Sequence, residues 1–546
     1  MTADTRPTEA APESSRTSGR NIALLFAGLM VTMLMASLSQ TILSTALPTI
    51  VGELGGVDQM TWVITSYILA STIMMPVYGR ISDLIGRKPV LIAAISLFML
   101  GSVLGGLATS IGALILARVV LGLGGGGLMI LSQAAIADVV PARERGKYMG
   151  IMGAVFAVSS VAGPLLGGWL TEGPGWRWAF WMNLPLGALS ILATIFFLRL
   201  PRVQRTGKLQ IDYAGMALIA VATTSLVLLS TWAGSTYAWT SPQIIALIAI
   251  TIAAIIAFVL VERRASQPVI PLSLFADRNF TLTTIAGLLT GLAMFGVIGY
   301  MPTYLQMVGG LDATRAGLMM IPMMAGLLVA SIVSGQLVAR TGRYRIFPLV
   351  GSLIMAGALF LIGTMPLGTN LWVLAGYLTI FGIGLGLGQQ ILTLIVQNSF
   401  PGAYVGTATA AFNYFKQVGA TIGSAVVGAI FASRLTEFLT TRLSGLGAGS
   451  GGPNIHSLTP SAVAQLPDAI RLTIVESYHD ALLPIVLWLI PFALLAVVVL
   501  LFVTEKPLAT TVDNSSAAPA GESPDATEHR AAAPRSDLVE SAVSSV

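Results

Sequence analysis

Two loops with related sequences determine how this chain is organised. The first loop is GRISDLIGRKP, from Gly79 to Pro89, and the second is GQLVARTGRYR, from Gly335 to Arg345. Glycine and arginine recur between them in three pairs at one constant offset: Gly79 with Gly335, Gly86 with Gly342, and Arg87 with Arg343. Each loop follows the second apolar segment of a block of six segments. The repeat therefore predicts two related halves.

The composition of the chain excludes a water-soluble protein. Of the 546 residues, 55% are hydrophobic and 10% are charged, whereas soluble proteins carry about 25% charged residues. The chain has no cysteine, which excludes disulfides, thiol catalysis and thiolate metal sites. Its net charge of +5 is modest and its basic residues are dispersed, so we expect no nucleic-acid partner. A polytopic protein of the lipid bilayer remains.

The apolar segments before and after the two loops predict an all-α membrane protein with 14 transmembrane helices. A transmembrane helix needs about 20 apolar residues, and barrel strands would instead alternate with a period of two. The predicted spans are 22–50, 60–79, 90–109, 111–137, 147–170, 179–198, 211–232, 243–262, 279–308, 314–339, 345–365, 369–398, 404–434 and 481–503.

The loops and the polar ends of the chain predict its domain organisation. Two disordered cytoplasmic tails are expected at 1–20 and 507–546, two six-helix bundles at 21–200 and 266–506, and a linker with two extra transmembrane helices at 201–265. A long extracytoplasmic loop, 435–480, is expected within the second bundle. Parallel halves of six spans around a central site are typical of secondary transporters.

The basic residues predict the orientation of the chain. Of 29 lysines and arginines, 22 flank one side of the predicted spans and 5 flank the other. Lysine and arginine collect on the cytoplasmic side of membrane proteins, so both termini are predicted to be cytoplasmic. The two remaining cations, Arg118 and Lys416, lie inside spans.

Five motifs carry a family resemblance that covers roughly residues 22–503. They are GRISDLIGRK in the first loop, ARVVLGLGGGG in span 4, AVFAVSSVAGPLLGGWL in span 5, TILSTALP in span 1 and WRWAFWMNLPLG from Trp176 to Gly187. Together they resemble the major facilitator superfamily and, within it, the fourteen-span drug:proton antiporters of the multidrug efflux type.

The resemblance implies a function. It implies a multi-pass protein of a bacterial cytoplasmic membrane, a monomer without a cofactor, that exports small amphipathic drugs or toxic compounds in exchange for protons by alternating access. Antibiotic resistance would follow from such export. Two alternatives stay open: an exporter or flippase of a lipid or of an endogenous metabolite, including an anionic one, and a non-transporting membrane sensor. Neither version predicts an enzyme.

The first loop is a candidate cytoplasmic latch. Gly79 and Gly86 permit a tight turn and close helix approach, and Asp83 is placed to cap a neighbouring helix or to pair with a cation. Arg87 and Lys88 complete the motif. Its expected partners at the end of span 4 are Asp138 and Arg145. The alternative is a solvated loop that follows the positive-inside rule. The second half has Ala339 where the first has Asp83, so that half should latch less strongly.

Span 5 carries the antiporter motif of the resemblance. Its small residues and proline are Gly153, Gly163, Pro164, Gly167 and Gly168. Small residues allow close helix packing, which is one interpretation. The resemblance adds the other, a bendable contact between spans 5 and 10 that closes the cytoplasmic side.

Arg118 and Lys416 are candidate functional residues because a cation inside the hydrocarbon is costly. The resemblance places an aspartate where this chain has Ser39, and a serine cannot titrate. Arg118 then either hydrogen-bonds to Ser39, Gln40 and backbone carbonyls, binds an anionic substrate group, or acts on a remoter acid. Lys416 is either a titrating group or a lysine that faces a water-filled cavity.

Polar residues of the spans complete the candidate substrate and coupling site. By the resemblance, these cavity-lining residues are Gln40, Gln133, Tyr300, Gln389, Gln390 and Gln397, with Asn413 beside Lys416. The three histidines lie outside the spans without metal-ligand spacing, so no metal is predicted. The G-x-G-x-x-G pattern of Gly122–Gly127 lies in mid-span and indicates helix packing.

Overall fold

A computed structural model describes residues 19–56, 59–198, 210–234, 236–444, 463 and 465–510. Within these ranges the chain is folded as helices joined by loops, and 14 helical stretches are long and apolar enough to cross a membrane. The predicted fold class and number of spans are thereby confirmed. Fourteen is an even number, so both described ends of the chain lie on the same face of the bundle, which we call the terminal face. We call the other the far face.

Ten spans are formed by a single helix. Spans 1 to 5 are Gly19–Leu54, Met60–Ile85, Arg87–Gly106, Ile111–Val139 and Ala142–Glu172. Spans 7, 8, 11, 12 and 13 are Tyr213–Trp232, Pro242–Glu262, Ile346–Gly363, Leu371–Ser399 and Gly402–Ser444.

Four spans are each formed by two consecutive helices. Span 6 is Trp178–Trp181 with Asn183–Phe197, and span 9 is Arg278–Ile298 with Met301–Met307. Span 10 is Ala313–Leu318 with Ile321–Thr341, and span 14 is Asp468–Leu487 with Ile490–Leu501. A short 3-10 turn, Leu272–Ala276, precedes span 9.

Short polar side chains begin many of these helices where they leave the loops. A side-chain oxygen at the residue before the helix accepts a hydrogen bond from a backbone N–H of the first turn, which stabilises the helix start. The residues that do so are Ser110, Asp212, Ser241, Asp277, Asp312 and Asn370. Gly342 ends Ile321–Thr341 with φ of +75°, a conformation that glycine adopts without strain.

The two halves have separate apolar cores. One core is drawn from spans 1 to 6, between Leu25 and Leu198. Another is drawn almost entirely from spans 9 to 14, between Leu292 and Ala493. Glycines bring helices together within the first half: a Cβ on Gly126 of span 4 would lie 2.2 Å from the Ser71 carbonyl oxygen of span 2. The mid-span glycine pattern therefore serves helix packing.

Spans 7 and 8 pack against each other, and span 7 lies against both halves. The Thr223 hydroxyl of span 7 is 2.9 Å from the Tyr414 hydroxyl of span 13. At the far-face end of span 7, the Trp232 ring meets the Trp62 ring of span 2 with centroids 6.2 Å apart. Span 7 thus covers the seam between span 2 of the first half and span 13 of the second.

The predicted connection 435–480 contains helix at both of its ends. The helix of span 13 continues to Ser444, and the next helix begins at Asp468. The two extensions are joined by an ion pair between Arg442 and Asp480, 2.6 Å apart, which helps to keep them helical beyond the apolar segments. The Gly-rich part of the loop lies outside the described residues.

Residues 507–510, which the sequence assigned to the second tail, contact the terminal face. Leu508 is buried, and the Ala509 carbonyl accepts a hydrogen bond from the Arg143 backbone N–H at 3.1 Å. Just before it, Lys506 forms an ion pair of 2.7 Å with Asp277. These contacts hold residues 503–510 against the terminal face. The rest of this tail, and residues 1–18, lie outside the described residues.

Candidate functional site

Asp83 joins the two halves on the terminal face. Its carboxylate accepts hydrogen bonds from the backbone N–H groups of Gly406 at 3.2 Å and Thr407 at 2.6 Å, and from the Thr407 hydroxyl. Both residues belong to the second turn of span 13. The side chain of Asp83 is 1% exposed, so water does not compete for these hydrogen bonds. A loop of the first half is thereby fastened to a helix of the second.

Arg87 neutralises the charge of this contact. Its guanidinium forms ion pairs with Asp83 and, at 3.1 Å, with Asp138 of span 4. It also donates to the Ser82 hydroxyl at 2.6 Å and, at 3.5 Å, to the Gly402 carbonyl oxygen. With 4% of its side chain exposed, Arg87 is a buried cation between two carboxylates.

Two residues expected in this latch lie elsewhere. Arg145 donates to the carbonyl oxygens of Ala137 at 2.5 Å and Val140 at 2.9 Å, so it caps the end of span 4 rather than pairing with Asp83. The Lys88 ammonium donates to the Ile195 carbonyl oxygen at 2.7 Å. Both cations bind helix C-termini, where free carbonyls favour positive charge. Gly86, with φ of +98°, forms the turn between spans 2 and 3.

A second seam joins spans 5 and 10 through glycine backbones. A Cβ on Gly335 would lie 2.2 Å from the Gly146 carbonyl oxygen, and one on Gly150 would lie 2.4 Å from the Ser331 carbonyl oxygen. Beside this contact the Arg143 guanidinium donates to the carbonyl oxygens of Ala339 at 3.4 Å and Arg340 at 3.3 Å. At this seam, backbone carbonyl oxygens are the acceptors of the arginine, whereas the first seam has the carboxylate of Asp83.

The two seams are related by the internal repeat. Gly79 of span 2 faces Gly406 of span 13, and a Cβ on Gly79 would lie 2.8 Å from the Gly406 carbonyl oxygen. Gly335 of span 10 faces Gly146 of span 5 in the same way. Sequence reasoning did not identify Gly146 and Gly406, although an offset of 260 residues relates them. Both seams lie on the terminal face, so this face is closed between the halves.

Substitution of Ala339 at the second seam can add an ion pair with Arg143. Ala339→Asp places a carboxylate beside the Arg143 guanidinium, where the first seam has Asp83, and the site is only partly buried. We expect the closed terminal face to become more stable by about 1 kcal/mol, the upper value for a partly exposed ion pair. Labelling of a single cysteine at the seam, introduced as Val338→Cys, should slow about fivefold.

The matched control for Ala339→Asp is Ala339→Asn, which has the same size without the charge. Equal labelling rates in the two variants would contradict an ion pair with Arg143. The Val338 side chain suits the reporter because it is buried and lies 3.2 Å from the Cβ position of Gly146.

The glycines of span 5 divide between two neighbours. Cβ atoms on Gly163 and Gly167 would lie 2.0 Å from the hydroxyl oxygens of Thr41 and Thr45 in span 1. Only Gly153 of the motif faces the second half, where its Cβ would lie 3.0 Å from the Ser331 hydroxyl and from Gln390 Cγ.

The remaining part of the span-5 prediction therefore needs correction. The contact with span 10 is made by Gly146, Gly150 and Gly153, on the terminal side of the motif, and not by its Gly-Pro part. Gly168 has nothing within 4 Å of its Cβ position, and Pro164 lies inside the helix. A helix face that contacts span 1 over one stretch and span 10 over the next explains why glycine recurs along span 5.

Arg118 is enclosed within the first half. Its Nε donates to the Val63 carbonyl oxygen at 3.1 Å, and its guanidinium carbon lies 4.3 Å from the Tyr67 ring centroid, both in span 2. The residue is 1% exposed, and its Nη1 atom has no hydrogen-bond partner in the described chain. Among the three expected roles, backbone hydrogen bonding is observed, with a cation–π contact in addition.

The expected contact of Arg118 with span 1 is not observed. Ser39 is buried, whereas Gln40 is exposed on the surface of span 1. Neither residue is a hydrogen-bond partner of Arg118 in the described part of the chain. Arg118 instead faces span 2 because the glycines of span 4 bring these two helices into close contact.

Polar side chains join the halves next to the terminal face. Asn413 Nδ2 of span 13 donates to Gln133 Oε1 of span 4 at 3.2 Å, and Gln397 Nε2 of span 12 donates to the Gln133 carbonyl oxygen at 3.3 Å. Gln397 Nε2 also lies 3.3 Å from the Thr409 hydroxyl. This cluster brings together three predicted residues from three spans. It lies directly beyond the Asp83 seam along span 13.

Lys416 lies one helical turn farther from the terminal face than Asn413. Its Nζ donates to Gln389 Oε1 at 3.1 Å and lies 5.9 Å from the Phe412 ring centroid. Gln389 Nε2 in turn contacts Met294 Sδ of span 9 at 3.3 Å. Lys416 and Gln389 of the second half thus lie beside the Asn413 cluster, which crosses to the first half, and together they form one polar region. The sequence identified most of it.

Tyr300 lies apart from this region. Its hydroxyl donates to the Ser424 carbonyl oxygen at 3.1 Å, and its ring packs on Phe431 with centroids 5.9 Å apart. It joins spans 9 and 13 of the second half toward the far face. Tyrosine is apolar over most of its surface, so packing within the half accounts for its position.

The start of the segment from Trp176 to Gly187 connects loops on the far face of the first half. Trp176 Nε1 and Arg177 Nη1 each donate to the Glu53 carboxylate at 2.7 Å, and Arg177 Nη2 donates to the Ala108 carbonyl oxygen at 3.2 Å. These contacts tie the end of span 1 to two loops. Glu53 was not identified from the sequence because an acid at the end of a span resembles any interfacial charge.

Metal binding has no support in the described residues. No group of three or more His, Asp or Glu side chains in the described ranges could hold a metal ion.

Relatives and solved structures agree with this architecture. An uncharacterized MFS-type transporter of Mycobacterium tuberculosis is 39% identical, covering 94% of this chain and 75% of its own. The multidrug transporter protein MdtP of Bacillus subtilis is 38% identical, covering 77% of both chains. Multidrug resistance protein 3 of Bacillus subtilis is 32% identical, covering 89% of this chain and 96% of its own.

Two solved structures share the fold. The human organic anion transporter MFSD10 superposes with a TM-score of 0.60 at 15% identity, covering 90% of this chain and all of its own. The proton:xylose symporter XylE superposes with a TM-score of 0.55 at 15% identity, covering 90% and 98%. The family profile described as Major Facilitator Superfamily matches residues 29–424. The chain belongs to the Major Facilitator Superfamily of membrane transporters.

Proposed function

We propose that the protein exports amphipathic drugs or toxic compounds in exchange for protons, by alternating access, across a bacterial cytoplasmic membrane. The terminal face would be cytoplasmic, because 22 of 29 lysines and arginines flank it in the sequence, and such residues collect on the cytoplasmic side. The named multidrug relatives support this substrate class. Such export would contribute to antibiotic resistance.

The observation that carries the proposal is the pair of matched seams on the terminal face, next to the polar region that contains Asn413 and Lys416. The Gly79–Gly406 and Gly335–Gly146 contacts close one face, and they relate the two halves by the internal repeat. Rocking the halves apart would separate both seams together and expose the polar region to the cytoplasm. Bistable interfaces of this kind convert small local changes into domain movements.

The domain organisation follows the same scheme. We propose that 21–200 and 266–506 are the two moving bundles and that 201–265 is a linker whose extra spans cover one seam. The protein would act as a monomer, since each bundle has its own apolar core and the site lies between them.

The proton would act on the carboxylates of the first seam. Ser39 cannot bind a proton in place of an aspartate, whereas Asp83 and Asp138 both pair with Arg87 beside the seam. Protonation of either acid would remove a charge from the network and weaken the closed state. Proton binding and opening of the terminal face would then be linked.

Efflux in cells tests the proposal. Cells that express the protein should accumulate less of a neutral amphipathic dye such as Nile red than cells that express the Gly335→Ala variant, whose seam cannot close. Collapse of the proton gradient with a protonophore should remove that difference within minutes. An unchanged difference after collapse would contradict proton coupling, and equal accumulation before collapse would contradict export of this class of compound.

A further inference from the structure

Lys416 is a partly buried cation of span 13 without a counter-ion in the described part of the chain. Its ammonium group has three hydrogens, and its hydrogen-bond acceptor is the neutral Gln389 Oε1 at 3.1 Å. No described carboxylate lies within ion-pair distance of Nζ. A charge inside a membrane span without a counter-ion is costly, so a ligand that brings a negative charge would bind here favourably.

The surrounding polar region also has unused hydrogen-bonding atoms. Gln133 Nε2, Gln390 Oε1 and Gln397 Oε1 have no partner among the described residues, although these side chains are 1%, 7% and 1% exposed. Buried polar atoms nearly always have partners in folded proteins. Gln133 and Gln397 belong to the Asn413 cluster, one helical turn from Lys416. Gln390 follows Gln389 in span 12 and faces Gly153 of span 5.

The position of Lys416 distinguishes it from Arg118. Arg118 is enclosed by Val63 and Tyr67 inside the first half. Lys416 lies one turn from Asn413, which crosses to Gln133 of the other half. A group bound at Lys416 therefore contacts the surface that opens when the halves separate.

We propose, resting on the proposed export function, that the substrate is an amphipathic organic anion whose carboxylate binds Lys416. The Gln133 amide supplies a second donor to the carboxylate, and a substrate hydroxyl donates to Gln390 Oε1. The Phe412 ring and Met294 beside Lys416 and Gln389 provide apolar contact for an aromatic body. Arg118 has no part in this site.

Transport in vesicles tests this site with matched probes. Purified protein is reconstituted with an imposed pH gradient and offered 7-hydroxycoumarin-3-carboxylic acid, its neutral ethyl ester, or the cation rhodamine 6G. The expected result is transport of the carboxylate at lower concentration than its ester. Lys416→Met should raise the half-saturating concentration of the carboxylate at least tenfold and change that of the ester less than twofold.

Two variants serve as matched controls. Lys416→Arg keeps the charge and should retain transport of the carboxylate. Lys147→Met removes an exposed lysine of the terminal face and should behave as the unmodified protein. Equal loss of carboxylate and ester transport in Lys416→Met, or transport of rhodamine 6G in preference to the carboxylate, would overturn the proposal.

Equilibrium binding separates this inference from the export function. If the unmodified protein moves none of the probes, the proposed export fails, and the coumarin carboxylate is titrated by fluorescence into detergent-purified protein. Binding that weakens at least tenfold in Lys416→Met would support the site without export. Binding that is absent, or unchanged by the substitution, would overturn the site itself.

Discussion

Asp83→Ala is expected to open the terminal face in most molecules. The substitution removes the acceptor of the Gly406 and Thr407 N–H groups and leaves Arg87 with Asp138 as its one described ion-pair partner. Loss of one partner from a buried ion pair costs about 3–5 kcal/mol. We expect the lower value, about 3 kcal/mol, because Asp138 remains. The equilibrium should then shift about 100-fold toward the open state.

Cysteine labelling measures this shift directly. The chain has no cysteine, so Val338→Cys provides one reactive thiol at the other seam, where the side chain is buried. In Asp83→Ala the thiol should react with a membrane-permeant maleimide about 100 times faster. Glu144→Ala is the control, since this acid is exposed on the same face, and it should leave the rate unchanged. A rate in Asp83→Ala equal to that control would mean that Asp83 does not hold the face closed.

Much of the fold could be predicted because a membrane restricts the possible structures. Hydrocarbon requires continuous apolar helices, so the 14 spans follow from length and hydrophobicity alone. Their ends were predicted less well. Span 13 continues to Ser444 and the helix of span 14 begins at Asp468, because polar residues beyond the hydrocarbon are stabilised as helix by tertiary contacts such as Arg442 with Asp480.

The site was predicted in part, for a different physical reason. Polar residues inside spans are costly and therefore conspicuous, which identified Gln133, Asn413 and Lys416. Their partners were not predictable, since a helix that is buried on several sides does not show which neighbour each face contacts. Arg118 illustrates this: its depth matched Ser39, yet the structure places it against Val63 and Tyr67 of span 2.

The sequence also does not show which neighbouring helix a glycine contacts. Gly335 therefore provides a test of whether close backbone packing at a seam permits the terminal face to close. A Cβ at this position would lie 2.2 Å from the Gly146 carbonyl oxygen and 3.2 Å from Gly150 Cα. Both atoms belong to the backbone of span 5, so no side chain can rotate away and the two helices must separate. Gly335→Ala should therefore destabilise the closed state, by about 3 kcal/mol, the upper part of the range for overpacking.

Gly357→Ala is the matched control, because it adds the same methyl group to an exposed mid-span glycine of span 11 with nothing within 4 Å. Gly335→Ala should reduce export about 100-fold and raise Val338→Cys labelling by a similar factor, while Gly357→Ala should change neither. Export and labelling must change together. If the closed state cannot form, the thiol stays accessible and the transport cycle cannot be completed. Loss of export with slow labelling would instead mean that the variant is arrested closed, and close packing at Gly335 would then not be what permits closure.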